Sequence, residues 1–123
     1  MTTSHHPPFA SEITSRTLKN FYTKLIEVYE KRSYGWTKGT MARDDKNHPC
    51  ALKDASKVCL LGALDIVLSE RHRHWDEKKA VRTAIIDHIL SRIEENSIAN
   101  FNDARSMTKA KLLKKLKQFR DVL

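Results

Sequence analysis

Apolar residues return at helical spacing along most of this chain. Leu18, Phe21, Tyr22, Leu25, Val28 and Tyr29 trace one stripe. They predict a helix from about Thr14 to Arg32, closed by Ser33-Tyr34-Gly35. The longest nearly unbroken apolar run is Val58-Cys59-Leu60-Leu61-Gly62-Ala63-Leu64-Asp65-Ile66-Val67. With Asp54 as N-cap it predicts a second helix to about Ser69. Ala55, Cys59, Gly62, Ala63 and Ile66 share a face there, and four of these five residues are small. Such a face lets another backbone come close. Val58, Leu61, Leu64 and Leu68 form a bulkier stripe beside it. A helix apolar on most of its circumference is the buried central one.

Glu70 to Trp75 reads as a charged turn. Asp76 then caps a third helix to Glu94 or Glu95, with Ala80, Val81, Ala84, Ile85, Ile89 and Ile93 as its apolar positions. Thr108 caps a last helix to about Val122, with Leu112, Leu113, Leu116, Phe119 and Leu123 facing inward. Between these helices lie two irregular segments, Gly35 to Lys53 and Asn96 to Met107. Ile98 and Phe101 of the second are expected in the core. Strand signals are few and no internal repeat occurs. The pattern predicts an all-α fold: a compact single-domain bundle of about four helices over residues 13–123, with two long irregular connectors. Residues 1–12 are expected to form a flexible tail.

Composition narrows the class. The chain has 123 residues, 40% hydrophobic and 31% charged, which suits one soluble domain. No apolar run approaches the roughly 18 residues of a membrane-spanning helix, and the N-terminus lacks a secretion-signal pattern. Two cysteines, Cys50 and Cys59, are too few for a disulfide scaffold. A cytoplasmic protein with free thiols is the expectation. Net charge is +8, and seven basic residues against one acid from Arg105 to Leu123 supply +6 of it. Lys109, Lys111, Lys114, Lys115, Lys117 and Arg120 on the last helix are therefore candidates for contact with phosphate or an acidic protein. The plainer reading of the same charges is a solvated helix face.

Three patches carry a resemblance. They are Trp36-Thr37-Lys38-Gly39 with Ala42-Arg43-Asp44, then Cys59-Leu60-Leu61-Gly62-Ala63-Leu64, then Ser97-Ile98-Ala99-Asn100-Phe101-Asn102-Asp103-Ala104 with Thr108. In this order they resemble a small helical family of unknown function found in bacteria and phages. The pattern is W-x-x-G-x-x-A-x-D, C-x-x-G-A-L, S-I-x-x-W-N-D-A and R-T-x-A-E. Phe101 stands where that pattern has Trp. Met107 and Lys111 replace its Arg and Glu, so only the Thr108 half of a capping box remains. The resemblance implies a helical fold and a phage or mobile-element setting, and it brings no activity.

Candidate chemistry is sparse. Cys59 with His88 and Asp103 can be drawn as a nucleophile triad. A mid-helix cysteine on a small-residue face is more simply a packing residue. His48, Cys50, His72 and His74 lack the paired spacing of a metal site, and His5-His6 is too short for one. No phosphate-cradling glycine loop, nucleotide fingerprint or serine elbow occurs, so no cofactor is expected. Asn102 and Asp103 suit turn-capping. With Trp36, Arg43 and Asp44 they could instead line a recognition surface at one end of the bundle. The sequence thus predicts a non-catalytic interaction module whose basic last helix meets an acidic protein or a nucleic-acid backbone. A small hydrolase-like enzyme using Cys59/His88 or the Asn102/Asp103 loop is the alternative.

Overall fold

The computed structural model describes residues 13–71 and 75–123. The expected tail at 1–12, His5-His6, His72 and His74 lie outside the described residues. Helix α1 runs Ser15–Glu30 and begins where the sequence places it, because the Thr14 hydroxyl accepts the Thr17 N–H at 3.1 Å. Its inward residues Phe21, Tyr22, Leu25, Ile26, Val28 and Tyr29 are all buried.

The first connector is not irregular throughout. Strands β1 (Gly35–Trp36), β2 (Ala42–Arg43) and β3 (Lys57–Val58) form a small sheet in the order β1-β3-β2. β3 is parallel to β1 and antiparallel to β2. A short 3₁₀ turn, Leu52–Asp54, lies between β2 and β3. The fold is therefore mostly helical but not all-α.

This sheet changes the start of helix α2, which spans Leu60–Arg71. Asp54 ends the 3₁₀ turn instead of capping α2, and Val58 is a strand residue. Cys59 is the capping position, since its carbonyl accepts the first helical bond, from Ala63 N–H at 2.9 Å. Helix α3 covers Trp75–Leu90, shorter than the expected reach to Glu94. Asp76 lies within it. The second connector contains a short helix, α4 (Ile98–Asn102), capped by the Ser97 hydroxyl, which accepts Asn100 N–H at 3.0 Å. Helix α5 spans Lys109–Asp121, and the Thr108 hydroxyl accepts Lys111 N–H at 3.2 Å.

One core joins these elements. Tyr22 and Leu25 of α1, Leu60, Leu64 and Leu68 of α2, Ile85 and Ile89 of α3, Phe101 of α4, and Leu112 and Leu116 of α5 are fully buried. Edge-on packing of Tyr22 against Phe119 (centroids 6.2 Å apart) locks α1 to α5. The Tyr29 hydroxyl donates to Val58 O at 3.1 Å and ties α1 to β3.

Candidate functional site

The residues that the motifs single out meet around one side chain. Asn102, at the end of α4, is buried, with every hydrogen-bonding direction occupied. Its Oδ1 accepts from Trp36 Nε1 at 2.7 Å and from Leu60 N–H at 3.0 Å. Its Nδ2 donates to Thr37 O at 3.1 Å and to Asp103 Oδ1 at 2.8 Å. Leu60 opens α2, so its N–H is one of the donors a helix start leaves unpaired. Asn102 satisfies it from 42 residues away in sequence. One amide thus joins α4, the strand-bearing loop and the start of the central helix.

Neighbouring groups close the same junction. Asp103 Oδ1 also accepts from Gly39 N–H at 3.1 Å, where Gly39 takes a left-handed φ of 79°. The Lys38 ammonium donates to Ala104 O at 2.7 Å and lies 5.5 Å from the centre of the Trp36 ring. Arg43 Nε donates to the Thr37 hydroxyl at 2.8 Å. Asp44 serves a different turn: its Oδ1 accepts from Lys46 N–H at 3.0 Å and His48 N–H at 2.9 Å. Those bonds, the one from His48 foremost, hold its carboxyl below the usual range. Of the five loop-end candidates, Trp36, Arg43, Asn102 and Asp103 converge. Their hydrogen bonds go largely to backbone and to one another.

Cys59 stands beside this junction. It is the N-cap of α2, where the sequence reading has it mid-helix. A helix N-terminus lowers a thiol pKa, and the Gly62 and Leu61 amides act in that direction here. Burial outweighs them and pushes the thiol up, with the Asp103 carboxylate adding to the rise. A cavity of about 170 Å³ adjoins Cys59, Met41, Asn102 and Asp103. His88 is engaged elsewhere: its Nδ1 lies 2.6 Å from the Tyr22 hydroxyl. Burial, and then the Arg92 charge, lower the His88 pKa. Among the described residues no group of three or more His, Cys, Asp or Glu side chains is placed to hold a metal.

Gly62 sits one turn into α2, buried against the loop. A Cβ there would meet Met41 O at 2.8 Å and the Val58 Cβ at 3.0 Å. The close approach expected at this glycine is real, but the approaching backbone belongs to the loop and not to a second helix. Met41 O also accepts Cys59 N–H at 2.9 Å.

A family model described as a family of unknown function (DUF6197) matches residues 26–121. The chain belongs to that family. The junction around Asn102, the start of α2 and all of α5 lie inside the matched span, which begins within α1, after the core residues Tyr22 and Leu25. Comparison with curated proteins and with solved structures returns no match.

The basic candidates occupy a separate place. On α5, Leu112, Leu116 and Phe119 are buried, while Lys111, Lys114 and Lys115 are exposed. Lys111 donates to Ser106 O at 3.0 Å and Lys109 to Tyr34 O at 3.4 Å. Lys117 pairs with Glu30 at 2.8 Å, and Arg120 with its neighbour Asp121 at 3.2 Å. Lys114 and Lys115 have no ion-pair partner among the described residues. Sequence reasoning found these cations through charge density but not this division between paired and unpaired ones.

Proposed function

We propose that this DUF6197 protein is a non-catalytic interaction module that meets a polyanion, an acidic protein surface or a nucleic-acid backbone, through α5. The observation that carries the reading is the exposed Lys111, Lys114 and Lys115 face, set on a helix whose opposite side is anchored in the core. Exposed cations without an ion-pair partner, mounted on an anchored helix, attract polyanions and displace the counterions condensed on them. An accessory or inhibitory role in a phage or mobile element is the finer form of this proposal, and it rests on the motif resemblance alone. A cytoplasmic setting also belongs to it, supported by two cysteines that both stand as thiols.

The test is a fluorescence-anisotropy titration against duplex DNA, single-stranded DNA and polyglutamate, each at two salt concentrations. Changing Lys111, Lys114 and Lys115 together to Glu should weaken whichever ligand binds and leave the helical circular dichroism intact. For duplex DNA, each phosphate contact removed should lower the slope of log affinity against log salt by about 0.9. No binding of the parent to any of the three at low salt would sink the proposal.

A nucleophilic Cys59 is the second reading. Its N-cap position and the adjoining cavity favour it; the raised thiol and the engagement of His88 with Tyr22 rank it below the first. Cys59→Ala should therefore keep polyanion binding, with a modest loss of stability from trimming a buried side chain. Loss of all function with an unchanged melting curve would reverse the ranking.

A further inference from the structure

A second feature lies apart from both the Asn102 junction and α5. Between α2 and α3, against the 3₁₀ turn, is a groove of about 580 Å³. That lies within the range of small-molecule sites, roughly 300–1,000 Å³. The half-buried Leu52 supplies the accessible apolar part of its lining, with the fully buried Leu68 beneath it. Lys78 and Lys79, with Arg82 one turn further along α3, stand at its edge. The carboxylate in the lining is Asp65, whose Oδ1 lies a long 3.5 Å from Arg82 Nε. The two terminal nitrogens of the Arg82 guanidinium make no hydrogen bond among the described residues, and the Lys78 and Lys79 ammonium groups have neither a hydrogen bond nor an ion pair there. A guanidinium edge left open in this way is shaped to fork around an oxyanion. Apolar floor and excess positive rim together select a ligand with an apolar body and one anionic head.

We propose that this groove binds an organic anion of that kind, a medium-chain carboxylate or alkyl phosphate. Its head is held by Arg82 and Lys78, and its chain lies over Leu52 and Leu68. Lys79, more exposed, adds long-range attraction but little contact. The groove shares no lining residue with α5, so the two proposals stand or fall separately.

Isothermal titration of the full chain with octanoate, octyl phosphate, octyl glucoside and inorganic phosphate tests this directly. The two octyl anions should bind, and comparing them identifies which head is preferred. Octyl glucoside (chain without charge) and inorganic phosphate (charge without chain) should bind about tenfold more weakly or worse. Arg82→Gln and Lys78→Gln should each weaken the octyl anions about tenfold, the size of a lost charge-assisted hydrogen bond. Leu52→Glu should abolish binding by placing a carboxylate in the groove. Lys19→Gln, exposed on α1 and outside both proposed sites, should change nothing. Far-UV circular dichroism verifies that each variant is folded. The proposal is overturned if neither octyl anion binds at millimolar concentration, if the glucoside binds as well as they do, or if folded Arg82→Gln and Lys78→Gln variants bind like the parent.

Discussion

Asn102 is where the junction can be tested most directly, because it accepts from two donors and donates to two acceptors while buried. Replacing it by Asp keeps the shape and both acceptor bonds, from Trp36 Nε1 and Leu60 N–H. It removes the donor to Thr37 O and sets a second carboxylate against Asp103. Burial and a like charge both raise the folded pKa of the new carboxyl above its unfolded value of about 3.9. The unfolded chain then gives up that proton first, so the loss of stability grows as pH rises from about 4 to 7. Denaturant melts of Asn102→Asp and parent across that range check the sign. A gap that is constant with pH would show that the side chain is solvated in the fold.

At the scale of elements, the start of α2 is the informative case. The helix is apolar nearly all round, so periodicity alone cannot say where it begins. The Met41 carbonyl decides, by receiving Cys59 N–H and lying over the first turn at Gly62. Gly62→Ala places a methyl 2.8 Å from that carbonyl oxygen, a backbone atom that cannot rotate aside. Helix propensity favours alanine by about 1 kcal/mol. The clash outweighs it, because overpacking costs about 1–3 kcal/mol and the displaced loop carries β2 with it. Urea melts should therefore find the variant less stable than the parent. A more stable variant would show that the loop yields freely.

Across the whole molecule, Tyr22 joins α1 to α5 through its ring edge on Phe119 and to α3 through a polar contact at the margin of the core. The Tyr22 hydroxyl faces His88 Nδ1 at 2.6 Å, and burial lowers the His88 pKa below 6.5. A histidine with a depressed folded pKa takes up its proton more readily when the chain unfolds. Its contribution is complete above the unfolded pKa and is lost as pH falls through and below about 6.5. Melting temperatures should therefore decline as pH falls below about 6.5, and His88→Gln should flatten that part of the profile. Asp44 and Glu27, with carboxyls held below their ordinary range, lose their contributions only at lower pH. An equal decline in His88→Gln would assign the acid sensitivity to another group.

What the sequence determined by itself was local. Thr14 and Thr108 mark two helix starts because a hydroxyl at the N-cap reaches an amide three residues on. The stripes of α1 and α5 select their buried faces because the 3.6-residue period is written within the helix itself. Gly62 signalled a close approach because glycine in an apolar helix otherwise only costs stability. The rest was decided by tertiary structure. Two-residue strands carry no period and exist only through pairing, so the sheet is not legible in the sequence and the apolar run reads as helix back to Asp54. Cys59 consequently moved from mid-helix to N-cap. Asn102 and Asp103 read as turn-formers because Asx side chains usually bond nearby amides. The partners of Asn102, Trp36 and Leu60, lie 66 and 42 residues away, a distance that only the folded chain closes.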